Sequence, residues 1–155
     1  QRYPPRVEFD GETYGDLAAV SGRAAWRAWH HVRFATDEYG FRNEPRSAGD
    51  AAPPLDLIVL GDSFGVAAST TQEETLSAVL ARDYGLNVYN LSISREGPRH
   101  EYANLLFEGP RLKTREGTCV LWLVFAGDDL DDVYPAELLN PRPRRQGLFE
   151  RLAAV

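Results

Sequence analysis

The chain has 155 residues, enough for one domain with a hydrophobic core. Its 17 basic and 23 acidic residues give a formal net charge of −6, which argues against a nucleic-acid-binding protein because such proteins need a basic face. A single cysteine excludes an internal disulfide, and no apolar run approaches the ~20 residues of a membrane-spanning helix.

Residues 1–50 predict an N-terminal extension that carries a short helix and a small β-hairpin. The helix is expected over residues 24–31. Residues 31–36 alternate between polar and apolar side chains and lead into the turn sequence 37–40, a pattern typical of a hairpin or β-arch. Arg42 follows this turn and is interpreted as a structural salt-bridge residue, with binding of an anionic ligand as the alternative.

The sequence around Leu57–Leu60 predicts the centre of a parallel sheet. These consecutive apolar residues follow Pro53-Pro54 and are typical of a short strand that is buried on both faces. The run stops at Gly61-Asp62-Ser63. Because ligands of open α/β sheets bind beyond the carboxyl ends of the strands, Ser63 lies where a nucleophile is expected.

A helix and a second strand are predicted next. Thr71 and Glu74 have the spacing of a capping box, which predicts a helix that begins there and runs to about Asp83, with Gly85 as its C-cap. Residues 86–91 alternate and predict a second strand. A β-α-β order implies that this strand runs parallel to the first, through a right-handed crossover.

A second helix then leads towards the third strand. Pro98 suits the first turn of a helix, which is expected to end near Gly109 and to direct Tyr102, Leu105 and Leu106 inward. The predicted interior of the sheet is thus covered by apolar side chains of this helix.

The apolar run Thr118–Phe125 predicts a third buried strand, with Cys119 as a buried thiol. The run is followed by Ala126-Gly127-Asp128-Asp129. Asp128 and Asp129 are therefore expected at the same edge of the sheet as Ser63.

Gly61-Asp62-Ser63-Phe64 after a hydrophobic strand resembles the first motif of the SGNH, or GDSL, hydrolases. Residues 36–43 resemble a Thr-Asp-x-x-Gly-Phe-Arg-Asn stretch that precedes the serine motif in some bacterial SGNH-like proteins. Gly97 matches the family's glycine after the second strand. The resemblance implies a flavodoxin-like three-layer α/β/α fold with a parallel sheet, in which residues 51–155 form the SGNH-like α/β domain.

The resemblance also implies a serine ester hydrolase without a cofactor or a metal, acting on a small-molecule or carbohydrate ester. Ser63 is the expected nucleophile, and the N–H groups of Ser63 and Gly97 are the expected donors to the oxyanion. Asp128 stands where the family has an asparagine, and an ionised carboxylate would repel an oxyanion instead of donating to it. Asp62, Asp129 and His100 are candidate substrate-binding residues. Similarity to anchored bacterial proteins favours a location outside the cytoplasm.

The sequence lacks the late Asp-x-x-His motif of SGNH enzymes and contains only His30, His31 and His100. A flavodoxin-like sheet also needs two strands beyond the third, and without them Thr118–Phe125 would be an exposed apolar edge. We therefore expect the 155 residues to be an N-terminal portion of a longer SGNH-like domain. Self-association through the edge is a related expectation.

The sequence leaves three alternatives to the hydrolase open. The first is a catalytically degenerate SGNH-like binding or scaffold module, motivated by Asp128 and by the absent motif. The second is an acyltransferase acting on carbohydrate. The third is a magnesium or phosphoryl site formed by Asp62, Asp128 and Asp129, because magnesium is bound by carboxylates of this kind.

Overall fold

A computed structural model describes residues 2–45 and 52–125 of the chain. The described residues form an α/β structure in which an antiparallel strand pair precedes a three-stranded parallel sheet. This confirms the predicted α/β class. The strands are β1 (Glu8–Tyr14), β2 (Trp29–Ala35), β3 (Leu55–Leu60), β4 (Val88–Asn90) and β5 (Thr114–Trp122), and the helices are α1 (Asp16–Ser21), α2 (Ser63–Val66), α3 (Leu76–Tyr84) and α4 (Pro98–Glu108).

The N-terminal hairpin is present, but its strands are not the expected ones. β2 pairs antiparallel with β1 along its whole length, from Glu8 opposite Ala35 to Tyr14 opposite Trp29. The helix predicted over residues 24–31 is wrong: only the single 3₁₀ turn Ala24–Trp26 forms, because the chain from Trp29 onward is extended and bonded to β1.

The parallel sheet has the order β4-β3-β5, with β3 in the centre. The predicted first strand is confirmed and begins at Leu55, and both of its neighbours run parallel to it as expected. The main core lies between this sheet and the covering segments and consists of Phe41, Leu55, Ile58, Leu60, Tyr89, Leu91 and Ile93. The central position of β3 directs the chain that follows it, and hence Ser63, to the middle of the sheet's carboxyl edge.

The helix after Ser63 begins later than the capping-box pattern predicts. Residues Gln72–Glu74 form a 3₁₀ turn, and α3 starts beyond it. Thr75 is the N-cap, since its side-chain oxygen accepts a hydrogen bond from the Ala78 N–H at 3.3 Å. Gly85 ends the helix in the left-handed conformation, as expected from the sequence.

The inward face of α4 is acidic where an apolar face was predicted. Tyr102 and Leu106 are 51% and 57% exposed, whereas Glu101 and Glu108 are 1% and 6% exposed. Leu105 packs against the core as expected. The glutamates tolerate burial because they have partners: Trp122 donates its indole N–H to Glu101, and arginines pair with Glu108.

β5 is wrongly predicted as a buried strand. Val120 and Trp122 are 43% and 40% exposed, and Cys119 is exposed as well. Among the described residues β3 is its one strand partner, so the opposite edge is unpaired there. Self-association through this edge stays a prediction. Within residues 2–45 and 52–125, no helix has the length and apolar content needed to span a membrane.

Candidate active site

Ser63 is the first residue of α2, directly beyond the carboxyl end of the central strand β3. Its side chain is exposed, whereas Gly61 and Asp62 just before it are buried. Among the described residues the hydrogen-bond partner of Ser63 Oγ is Asp62 Oδ2, at 3.5 Å. The fold therefore presents one hydroxyl on a buried, well-fixed support.

Asp62 fixes the backbone at Ser63 by capping α2. Its Oδ1 accepts a hydrogen bond from the Phe64 N–H at 2.9 Å, and its own backbone angles, φ −86° and ψ −144°, are not helical. An aspartate N-cap satisfies an amide that the helix cannot pair internally. The position of Asp62 thus favours a structural role for this carboxylate over the predicted contact with substrate.

Two glycines allow α2 to lie close to the strand ends. A Cβ built on Gly65 would lie 2.2 Å from Ser92 Oγ and 2.7 Å from Ser92 Cβ. A Cβ on Gly61 would lie 3.0 Å from Leu123 Cβ. Tight packing therefore favours the glycine of the Gly-Asp-Ser-Phe motif, and it requires Gly65, which the sequence reasoning did not single out.

Arg42 binds the chain just after α2 from the inside. It is 1% exposed and donates to the backbone carbonyl oxygens of Val66, Ala67 and Thr70, and to the side-chain oxygen of Gln72 at 3.1 Å. Burial lowers its pKa to about 10, so the guanidinium stays charged at neutral pH. Among the described residues Arg42 binds neutral carbonyl and amide oxygens and no carboxylate, and its burial keeps it away from the surface, so neither the salt bridge nor the anion site is found there.

A chain of buried polar groups connects the residue 36–43 stretch to α2. The Asp37 carboxylate, 0% exposed, accepts hydrogen bonds from Asn43 Nδ2 at 3.0 Å and from the Tyr89 hydroxyl at 2.7 Å. Asn43 and Asn90 exchange two hydrogen bonds, and Asn90 Nδ2 donates to the Gly65 carbonyl oxygen at 2.9 Å. The buried side chains of this stretch therefore position the serine segment.

Ser63 opens onto a cleft of about 970 Å³. The loop after β4 contributes Ser94 and Arg95 to the same cleft, and Arg2 and Tyr3 close one side of it. The structure thus brings Ser63 and the loop after β4 together, as the strand order predicts. Arg2, Tyr3 and Arg95 are cleft residues that the sequence reasoning missed, because nothing in their local pattern marks a site.

The two predicted oxyanion donors, the N–H groups of Ser63 and Gly97, lie at the starts of two different helices. Gly97 is buried and is the N-cap of α4, and Ser63 N begins α2. In the described part of the chain neither N–H donates to a protein acceptor. Gly97 is absent from the described lining of the cleft, as is His100, which is exposed on α4.

None of the three histidines hydrogen-bonds to Ser63. His30 Nδ1 lies 2.8 Å from the Ala28 carbonyl oxygen and Nε2 lies 2.6 Å from that of Ser69. These two carbonyls, Ala28 first, raise the pKa of the His30 imidazole. His31 pairs instead with Asp10 at 2.6 Å. His30 therefore ties the loop after α2 to the hairpin.

Asp128 and Asp129 lie outside the described residues, so their predicted approach to Ser63 stays a prediction. Within the described ranges, no group of three or more His, Cys, Asp or Glu side chains is arranged to hold a metal ion. Comparisons with protein-family models, with curated proteins and with solved structures give no match to this chain.

Proposed function

We propose that the chain is an SGNH-like serine ester hydrolase with Ser63 as its nucleophile and with the sheet β4-β3-β5 as the first part of a flavodoxin-like sheet. The observation that carries the proposal is the setting of Ser63. An exposed hydroxyl stands at the carboxyl end of the central parallel strand, at the start of a capped turn of helix, and faces an open cleft.

The support beneath Ser63 favours a catalytic role over a turn serine. Its helix is capped by Asp62, seated against Ser92 through Gly65, and bound by buried Arg42. A serine that only terminates a strand needs none of these constraints. A nucleophile does, because a misplacement of about 1 Å can lower the rate by about 10²-fold.

In the proposed reaction, Ser63 Oγ attacks the carbonyl carbon of an ester while its proton passes to a general base. The carbonyl oxygen becomes an oxyanion, for which the N–H groups of Ser63 and Gly97 are the candidate donors. Collapse of this intermediate breaks the bond to the alcohol, which leaves with the proton. Water then hydrolyses the acyl-serine and restores the hydroxyl. The base that the resemblance implies is the histidine of a late Asp-x-x-His motif, and none of His30, His31 and His100 stands in such a motif.

Hydrolysis of 4-nitrophenyl acetate tests the proposal. Ser63→Ala should lower kcat/KM by about 10³-fold or more, since removal of a serine nucleophile has effects of that order. Ser94→Ala removes a second hydroxyl of the same cleft and serves as the matched control, which is expected to keep turnover. Equal rates for Ser63→Ala and the parent protein would refute the role of Ser63.

A non-catalytic SGNH-like binding module is the second candidate, and Asp128 is the residue that favours it. A carboxylate at this position does not donate to an oxyanion. The module predicts ligand binding that Ser63→Ala leaves intact, together with no turnover of any ester. Asp128→Asn separates the two candidates, because it should raise the turnover of a hydrolase and leave a binding module inactive.

A further inference from the structure

The described residues that line the Ser63 cleft are unusually basic for this protein. Two of them, Arg2 and Arg95, are arginines, and none is an aspartate or a glutamate. The chain as a whole carries a formal net charge of −6. A positive charge in this lining, on a chain of negative net charge, attracts anions to that part of the surface.

Arg95 is the uncompensated charge of the two. Arg2 forms an ion pair with Glu108 and lies 4.8 Å above the Phe41 ring, so its charge is neutralised and its side chain is held. Arg95 is exposed and, within residues 2–45 and 52–125, makes no hydrogen bond or ion pair. Its guanidinium is therefore available to a ligand in the cleft.

The backbone of Arg95 is in a conformation that its side chain disfavours. Its φ of +64° lies in the left-handed region, where a residue with a Cβ is strained and glycine or asparagine is preferred. Strain of this kind is concentrated at functional sites. An arginine at this position makes the loop less stable than asparagine would, while it adds a positive charge to the cleft that Ser63 faces.

We infer that the cleft selects anionic substrates, and that Arg95 binds a carboxylate or a similar anion on the ester that Ser63 attacks. The guanidinium matches such groups because its planar N–H donors form two parallel hydrogen bonds with them. Arg95 is a specificity-determining residue in this account and takes no part in bond breaking. The inference rests on the proposed esterase function for its reaction, and on the cleft alone for the anion site.

Two matched pairs of esters test the preference. In the first pair the acyl part carries the charge: 4-nitrophenyl hydrogen succinate is compared with 4-nitrophenyl methyl succinate. In the second pair the alcohol part carries it: 4-acetoxybenzoate is compared with its methyl ester. The measured quantity is the ratio of kcat/KM for the anionic ester to that for the neutral ester, at low and at high salt.

The ratio should exceed one for at least one pair and should fall about tenfold in Arg95→Asn, the loss expected for one charge-assisted contact. Arg95→Lys keeps the charge and should retain part of the preference. Arg99→Gln removes a nearby exposed arginine that does not line the cleft and should leave the ratio unchanged. Arg95→Asn should also unfold at the same urea concentration as the parent protein or at a higher one. A ratio that Arg95→Asn leaves unchanged for both pairs would overturn the inference.

A binding measurement keeps this result separate from the esterase proposal. Calorimetry of 4-acetoxybenzoate with Ser63→Ala should give a dissociation constant that rises about tenfold when Arg95→Asn is added. If no ester is hydrolysed but this rise is observed, the hydrolase fails and the anion site stands. Binding that does not depend on Arg95, or no binding, would refute the anion site whatever the outcome of the activity assays.

Discussion

Gly65→Ala is expected to destabilise the serine segment although alanine is the better helix former. The new Cβ would lie 2.2 Å from Ser92 Oγ, more than an ångström inside ordinary contact distance. Rotation of the Ser92 side chain could move Oγ away. It could not move Ser92 Cβ, which would remain 2.7 Å from the new methyl group. The backbone of α2 or of the loop after β4 must therefore shift.

The expected loss is about 2 kcal/mol in the free energy of unfolding, within the range for overpacking of a buried site. Gly109→Ala is the matched control, because Gly109 is also helical, with φ −50° and ψ −44°, and nothing lies within 4 Å of its added Cβ. That change should alter the free energy of unfolding by less than about 1 kcal/mol, because the gain in helix propensity is opposed by Pro110, which disfavours the helical conformation of a preceding residue with a Cβ. Urea unfolding followed by tryptophan fluorescence measures both.

The contact itself is tested by a double-mutant cycle with Ser92. Ser92→Gly removes both Oγ and Cβ and should recover most of the stability that Gly65→Ala loses. Ser92→Ala removes only Oγ and should recover less of it. Ser92 Oγ is buried without a hydrogen-bond partner in the described residues, so Ser92→Ala alone should cost little. A Gly65→Ala protein as stable as the parent, or a loss that Ser92→Gly does not relieve, would refute this packing argument.

Three further predictions concern polar contacts. Asp62→Ala removes the acceptor for the Phe64 N–H and should lower the free energy of unfolding by about 1 kcal/mol, whereas Asp62→Asn keeps an acceptor and should lose less. Tyr89→Phe should cost about 1–3 kcal/mol at pH 7, because a buried Asp37 oxygen loses a donor. Burial and that carboxylate raise the pKa of Tyr89, so the parent protein loses stability as pH rises past 10.0. The difference in the free energy of unfolding between the parent and Tyr89→Phe, measured by urea unfolding, should therefore become smaller at high pH. A larger difference would contradict this prediction. The pKa of the His30 imidazole, measured by NMR in the folded protein, should lie above its ordinary value of 6.5. The contribution of His30 to the free energy of unfolding should be complete below pH 6.5 and should be lost as pH rises through the folded pKa. A folded pKa below 6.5 would contradict the two carbonyl contacts.

The local sequence pattern is sufficient to predict the parallel sheet because its central strand is buried and therefore consists of consecutive apolar residues. The unbroken apolar run at Leu57–Leu60 and the β-α-β order determine both the strand and its parallel neighbours. The same reasoning predicts that Ser63 lies at the carboxyl edge, next to the loop after β4. The α/β class and the juxtaposition of these two segments therefore follow from local pattern.

The errors arise where tertiary partners override local pattern. Glu101 and Glu108 face inward because Trp122 and two arginines satisfy them, which no helical apolar stripe reveals. Thr75 caps α3 in preference to Thr71 because a 3₁₀ turn intervenes between the two threonines. Tertiary pairing with β1 likewise extends the chain from Trp29.

The sequence predicts only part of the cleft, because the roles of its other residues depend on tertiary structure. Ser63 carries a recognisable sequence signal. Arg95 contributes through a positive φ and a side chain without an ion-pair partner among the described residues, and neither property can be derived from residue type. The sequence predicts a salt bridge or an anionic ligand for Arg42, whereas the structure buries its side chain against backbone carbonyl oxygens. Its role depends on contacts between residues that are distant in sequence.

Covalent labelling with a fluorophosphonate probe, read as the intact mass of the protein, shows whether Ser63 is an activated nucleophile. We expect one adduct on the parent protein, its loss in Ser63→Ala, and its retention in Ser94→Ala, because only Ser63 is expected to be an activated hydroxyl. The labelled peptide should contain Ser63. No adduct on the parent protein, or an adduct that survives in Ser63→Ala, would contradict the account.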